Sequence, residues 1–177
     1  NMLLGETSSI KKIRMTSRES TTVDDVRVAP LIQAKRGQED GAANYYTPNG
    51  YVCGCVALSG AMIAHYWQYP LSSRPSVSRT CSVNGVLRNF NSKGGTYNWE
   101  LMPNTFTGLS NTQKEAIGHL CYDMGVATYM DWSSRGSGTA GYCLVSAFVD
   151  VFGYANARAY LGELGTVFSL DVIQRTI

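Results

Sequence analysis

Hydrophobic positions along this chain gather into four runs of helical period, separated by polar stretches rich in glycine and serine. In the first run, Val56, Gly60, Ile63 and Trp67 recur at helical spacing, as do Ala57, Ala61, Ala64 and Gln68. His65, Gln68 and the tyrosine hydroxyls are its only strongly polar groups, and Ala57, Ser59, Gly60, Ala61 and Ala64 would let neighbours come close to its backbone. Gly54 precedes the run and Pro70, whose ring disfavours helical geometry at the residue before it, stops it. The pattern predicts a buried central helix from about Cys55 to Tyr69. A second helix opens at a capping box, Ser110 to Gln113, and carries Ile117, Leu120, Cys121 and Met124, with Gly125 as its expected C-cap. A third spans roughly Tyr142 to Phe152, with Leu144, Phe148 and Val151 on one face and Gly153 past its end. A fourth starts at Ser169, with Leu170, Ile173 and Ile177 spaced for burial, and the sequence leaves it in mid-turn, the expected mark of a cleaved or truncated chain.

The intervening stretches predict less. Residues 28–33 read as a short extended piece, residues 36–50 as a polar loop, and the segment from Pro70 to Gly95 as one long Ser/Arg/Asn/Gly-rich connection. Residues 96–102 read as extended, and 157–160 and 167–169 as short strands. Residues 1–27 are polar, without periodicity or a signal-peptide pattern, and begin with Asn1, so the start reads as a processing boundary.

Composition narrows the class. With 177 residues and 44% apolar content, one sizeable core in a single domain is expected. A net charge of +2 without a clustered basic face argues against nucleic acid or an anionic membrane as partner. No apolar run approaches the length of a membrane span.

Candidate chemistry centres on Cys55. As the first residue of the first helix, its sulfur faces unpaired amides and the positive end of the macrodipole, which favour the nucleophilic thiolate. A buried, inert core thiol is the competing reading. If Cys55 is free, Cys53, Cys81, Cys121 and Cys143 could form two disulfides in any of three pairings, or stay reduced in the core, which suits the helical context of Cys121. Cys53-Gly54-Cys55 lacks the spacing and the second ligand pair of a zinc site, and no metal or other cofactor is expected. The Ser/Gly-rich stretch from Trp132 to Gly141 offers turns at Gly136, Gly138 and Gly141 where backbone can approach a ligand, but no Lys follows it as a phosphate loop would require.

Four stretches in order carry a resemblance. They are Val28-Ala29-Pro30-Leu31-Ile32; Gly54-Cys55-Val56-Ala57 leading to Tyr66-Trp67-Gln68-Tyr69-Pro70; Tyr97-Asn98-Trp99-Glu100-Leu101-Met102-Pro103; and Gly125-Val126-Ala127 leading through Met130-Asp131-Trp132 to Gly136-Ser137-Gly138. Together they resemble the streptopain-like, papain-fold cysteine peptidases of bacteria over roughly residues 28–160. The resemblance implies an α+β papain-like fold, of which residues 28–177 form the nucleophile-bearing part. Residues 1–27 would then be a propeptide tail or linker, as in a zymogen. It implies Cys55 as nucleophile, Asn49 where the family usually has an oxyanion-hole Gln, and Ser137 and Gly138 on the border of the substrate groove. It further implies a protein or peptide substrate and a secreted or cell-surface bacterial setting.

Thiol peptidase chemistry also needs an imidazole beside the sulfur. The chain has two histidines. His65 lies ten residues along the same helix, roughly 15 Å from Cys55 at 1.5 Å per residue. His119 sits inside the second helix, out of the context the family gives its catalytic His. Two accounts follow: one piece of a cleaved peptidase, completed by a second chain that supplies the His, or a non-catalytic papain-like binding module or inactive zymogen fragment. Leu58, Ser59 and Met62, which depart from the family's usual Thr, Ala and Gln, lend the second account some support.

Overall fold

The computed structural model describes residues 30–105, 107–155 and 157. The expected strands at 157–160 and 167–169, the helix from Ser169 and the segment 1–27 therefore lie, wholly or nearly so, outside the described residues. Helix α1 spans Cys55–Trp67, α2 spans Asn111–Ala127, and α3, Cys143–Ser146, widens into a π-helical turn at Ala147–Val151. Strands β1 (Ser78–Val83), β2 (Val86–Asn91) and β3 (Asp131–Trp132) form a sheet of order β2-β1-β3. The mixed helix-and-sheet architecture agrees with the expected α+β class.

α1 stops two residues short of the expected Tyr69. Gln68 takes a left-handed conformation and its N–H closes on the carbonyls of Ala64 and His65, so the stop lies in this cap rather than at Pro70. The buried face is Leu58 with a stripe of small residues, Ala57, Gly60, Ala61 and Ala64, while Ser59, Tyr66 and Trp67 are exposed. Gly60 is required by proximity: a Cβ there would stand 2.5 Å from Leu144 Cδ2 and 2.8 Å from Met124 Sδ. α1 thus packs on α2 and α3 almost backbone to side chain, close packing that rewards small residues.

α2 begins as the capping box predicts: the Gln113 N–H donates to Ser110 Oγ (3.3 Å) and the Ser110 N–H to Gln113 Oε1 (2.9 Å). Ile117, Leu120, Cys121 and Met124 are buried. The expected C-cap at Gly125 is not one. The helix runs on to Ala127 and ends at Thr128, whose N–H donates to the carbonyl of Met124. Gly125 instead faces the indole of Trp132, 2.9 Å from where its Cβ would lie.

The long connection after Pro70 holds a β-hairpin that the apolar pattern did not predict. β1 and β2 pair antiparallel from Ser78↔Asn91 to Val83↔Val86, around an Asn84-Gly85 turn with φ of 51° and 78°. Positive φ at both central residues matches the right-handed twist of the flanking strands. β3 then joins β1 in parallel through Ser82↔Asp131 and Val83↔Trp132. Residues 96–102 are not extended either; Trp99–Leu101 form a 3-10 turn. Residues 31–33 belong to no strand.

The chain's return from the hairpin is held by a buried carboxylate. Asp123 on α2 accepts the N–H groups of Lys93 (2.6 Å) and Gly94 (2.9 Å) and the Tyr97 hydroxyl (2.9 Å). Three donors leave its desolvated charge well compensated. Burial first, and the Asp123 charge second, raise the Tyr97 phenol above its usual range. All five cysteines are free thiols, so neither of the two disulfides considered above forms: Cys53, Cys81 and Cys121 are buried in the core, Cys143 is half-buried, and Cys55 is exposed.

Candidate active site

Three segments meet at the N-terminal tip of α1. The first is the approach to the helix. Pro48–Gly50 form a 3-10 turn, Tyr51 after it is extended, and the Cys53 N–H donates to Asn44 Oδ1 (2.8 Å). Gly54 then adopts φ 91° and ψ 139°, outside ordinary L-residue space, and turns the chain into the helix so that Cys55 is its first residue. The turn has two consequences. Cys53 points inward and is fully buried, whereas Cys55, two residues on, is exposed. No side chain caps the helix, so its first amides are open beside the Cys55 sulfur.

The second segment is the Ser/Gly-rich loop after β3. Asp131 and Gly138 exchange both backbone hydrogen bonds at 3.0 Å, closing the loop at its base. The Ser133 N–H donates to Ser137 Oγ (3.3 Å) across it. The loop lies directly against the helix tip: a Cβ at Gly54 would stand 3.3 Å from the Ser137 carbonyl and 2.6 Å from Met130 Sδ. The Ser137 carbonyl is thereby brought next to Gly54, the residue before Cys55. The third segment is the hairpin turn. Asn84 Nδ2 donates to Tyr51 Oη (3.0 Å), Asn84 Oδ1 accepts the Ser134 N–H (3.1 Å), and the Asn84 N–H donates to the Trp132 carbonyl (2.8 Å).

Asn49 stands six residues before Cys55 in the 3-10 turn, exposed and with a left-handed φ of 55°. Its side-chain amide has no hydrogen-bond partner among the described residues, nor does any bond join it to Cys55. Asn tolerates that backbone region better than most residues. Asn84 and Tyr51 were not singled out by sequence reasoning. The signal for Asn84 was the Asn-Gly dipeptide itself, the strongest short-range mark of a hairpin turn.

The two imidazoles are engaged elsewhere. His119 Nε2 lies 3.2 Å from Asp123 Oδ2, without hydrogen-bond alignment, and its ring packs 4.9 Å from that of Tyr97. His65 sits toward the far end of α1, where Met62, His65, Tyr66 and Trp99 help line a cavity of about 300 Å³. Burial, and the nearby Arg36 guanidinium, hold its pKa below the ordinary imidazole value against the opposing pull of the Met102 backbone. It is therefore neutral at pH 7, and ten residues of helix separate it from Cys55.

Residues 38–169 match the model of the peptidase C10 family. The chain belongs to that family. Streptopain of Streptococcus pyogenes is 36% identical over 135 residues, covering 72% of this chain and 33% of streptopain. The chain thus spans about a third of the length of the curated relatives it matches. Among solved structures, the active wild-type interpain A cysteine protease of Prevotella intermedia superposes with a TM-score of 0.60 at 24% identity, over 71% of this chain and 55% of that one. A prointerpain A fragment from the same organism gives 0.55 at 21% identity, over 71% and 43%. These likenesses establish the papain-like cysteine peptidase fold for this C10 chain, with a mixed helix-and-sheet core.

Proposed function

We propose that this C10 chain carries the nucleophile of a cysteine endopeptidase. The observation that carries the reading is the exposure of Cys55 at the uncapped tip of α1, beside the Ser137 loop, while Cys53 two residues earlier is buried. An extended peptide laid along Ser137 and Gly138 would present its scissile carbonyl to the sulfur. The Cys55 thiolate attacks the carbonyl carbon, and the carbonyl π electrons move to oxygen. The oxyanion is met by the Cys55 amide N–H, with Asn49 as a second donor once its side chain turns toward the site. As the tetrahedral adduct collapses, the C–N bond breaks and an imidazolium gives its proton to the departing amine. Water then hydrolyses the thioester and regenerates the thiol.

Because His65 and His119 are engaged elsewhere, the reading takes the imidazole from outside these residues, on a second polypeptide of the same peptidase. Residues 1–27 fit the tail of a propeptide in this scheme, and the family resemblance fits action outside a bacterial cell on protein or peptide substrates. The test uses the full-length protein. Cys55→Ala should lower peptide hydrolysis at least ~10³-fold, and a peptidyl epoxide should form its adduct at Cys55. Asn49→Ala should lower kcat by roughly 10²-fold, the usual cost of one oxyanion donor. Hydrolysis that survives Cys55→Ala would remove the enzymatic reading. The same commitment of both imidazoles favours one competitor, a non-catalytic papain-like binding module, for which Cys55 would react with a peptidyl epoxide no faster than Cys121.

A further inference from the structure

The Ser133–Gly138 loop is anchored at its base by Asp131 and Gly138 and braced within by the Ser133 N–H to Ser137 Oγ and Gly136 N–H to Ser133 carbonyl bonds, and one side chain from outside the loop ties its outer part to the approach to Cys55. Asn84 projects from the hairpin turn and spends its whole amide on two neighbours: Nδ2 donates to Tyr51 Oη at 3.0 Å and Oδ1 accepts the Ser134 N–H at 3.1 Å. Tyr51 lies on the strand-like approach that turns at Gly54 into Cys55; Ser134 lies on the loop whose Ser137 carbonyl abuts Gly54. The contacts close a circuit, from Tyr51 through Asn84 and the loop back to Gly54, with Cys55 at its rim. Asn84 is exposed, so nothing about core burial requires an amide there. The turn itself asks only for a residue that tolerates positive φ, which Gly would satisfy as well.

We propose that Asn84 is a positioning residue that fixes the width of the substrate groove, by holding the Ser133–Gly138 wall at a set distance from the approach to Cys55. The inference rests on the peptidase reading, because a groove of set width has meaning only for a chain bound along it. It assigns to the tip of the hairpin, whose strand β1 reaches the core through Cys81 and Val83, a part in aligning the substrate backbone with the sulfur. Alignment of this kind acts on reagents that occupy the groove and leaves the intrinsic reactivity of the thiol alone.

The test compares two reagents on the full-length protein. Iodoacetamide needs only the Cys55 thiolate, whereas a peptidyl epoxide must lie along the groove before it alkylates. Asn84→Gly keeps the turn and removes both side-chain hydrogen bonds; Asn84→Asp keeps an acceptor for Ser134 and can accept the Tyr51 hydroxyl proton. In Asn84→Gly, epoxide labelling of Cys55 should slow about tenfold, the scale of two ordinary hydrogen bonds, while iodoacetamide labelling stays within ~2-fold. Asn84→Asp should recover most of the loss. Peptide hydrolysis should lose kcat/KM by a similar factor. Equal slowing of both reagents would place the effect on the thiol or the fold and overturn the proposal, as would unchanged epoxide labelling in Asn84→Gly. A wild-type protein that takes up iodoacetamide but not the peptidyl epoxide would sink the peptidase reading and this inference together, an outcome distinct from the other two.

Discussion

Gly54 is the residue on which the exposure of Cys55 depends. Its φ of 91° is one an L side chain adopts only under strain, and a Cβ would also press on Met130 and on the Ser137 carbonyl. Gly54→Ala should cost about 1–3 kcal/mol in urea unfolding, with slower epoxide labelling of Cys55. Gly141→Ala, where a Cβ meets nothing within 4 Å, is the control and should change stability little. A second residue-scale consequence concerns Cys81 on β1, whose thiol burial pushes from its ordinary 9.0 up to about 11, against weaker opposing effects of the Met130 backbone and Arg79. Above pH 9 the unfolded chain releases this proton while the folded protein keeps it. The unfolded state then binds fewer protons, so stability falls as pH rises from 9 to 11 and is fully present below 9. A melting-temperature series over pH 8–11 should therefore fall less steeply in Cys81→Ala than in the wild type, whatever packing that substitution loses. Parallel slopes would mean that Cys81 does not titrate with unfolding.

At the scale of elements, what could be read from the sequence followed the strength of local chemistry. The Ser110–Gln113 capping box, the apolar face of α2 and the Gly54 entry to α1 are each written in adjacent residues, and each lies where it was expected. The hairpin was hidden because β2 is largely solvated and β1 buries only Cys81 and Val83. β2 reads Val-Leu-Arg-Asn-Phe-Asn with only Phe90 partly covered, so no alternation of apolar and polar positions survives. Gly125 misled for the opposite reason: its local signal was that of a cap, but contact with Trp132 fixes it inside the helix. The candidate site divides in the same way. Cys55, Gly54 and the Ser137 loop are continuous motifs, while the Tyr51–Asn84–Ser134 contacts join three segments remote in sequence. Since α2 carries both the core face and the Asp123 hub, its N-terminal cap should matter to the whole unit. Ser110→Ala should destabilise by about 1 kcal/mol in denaturant titration, and Ser110→Asp, which keeps an acceptor at the cap, should restore most of it. A loss at Ser110→Ala too small to measure would show that tertiary packing alone starts the helix.

Across the molecule, the five thiols report on how the core is closed around the site. Cys53, Cys81 and Cys121 line one continuous core with Ala57, Met124 and Val126, Cys143 is half-covered on α3, and Cys55 alone is exposed. Close packing of that core leaves a reagent no route to the three inner sulfurs short of an opening that exposes the core itself. Alkylation of the native protein at pH 7, resolved by mass, should therefore add one label at Cys55 first and a second at Cys143 more slowly. The remaining three labels should appear only in denaturant, at a rate that follows unfolding. The prediction separates the two accounts of Cys55 as well as testing the core. A sulfur set at an open helix tip for attack must react ahead of every other thiol, whereas labelling of Cys121 as fast as Cys55 would mean that the α1–α2 packing opens freely and that the tip confers no advantage.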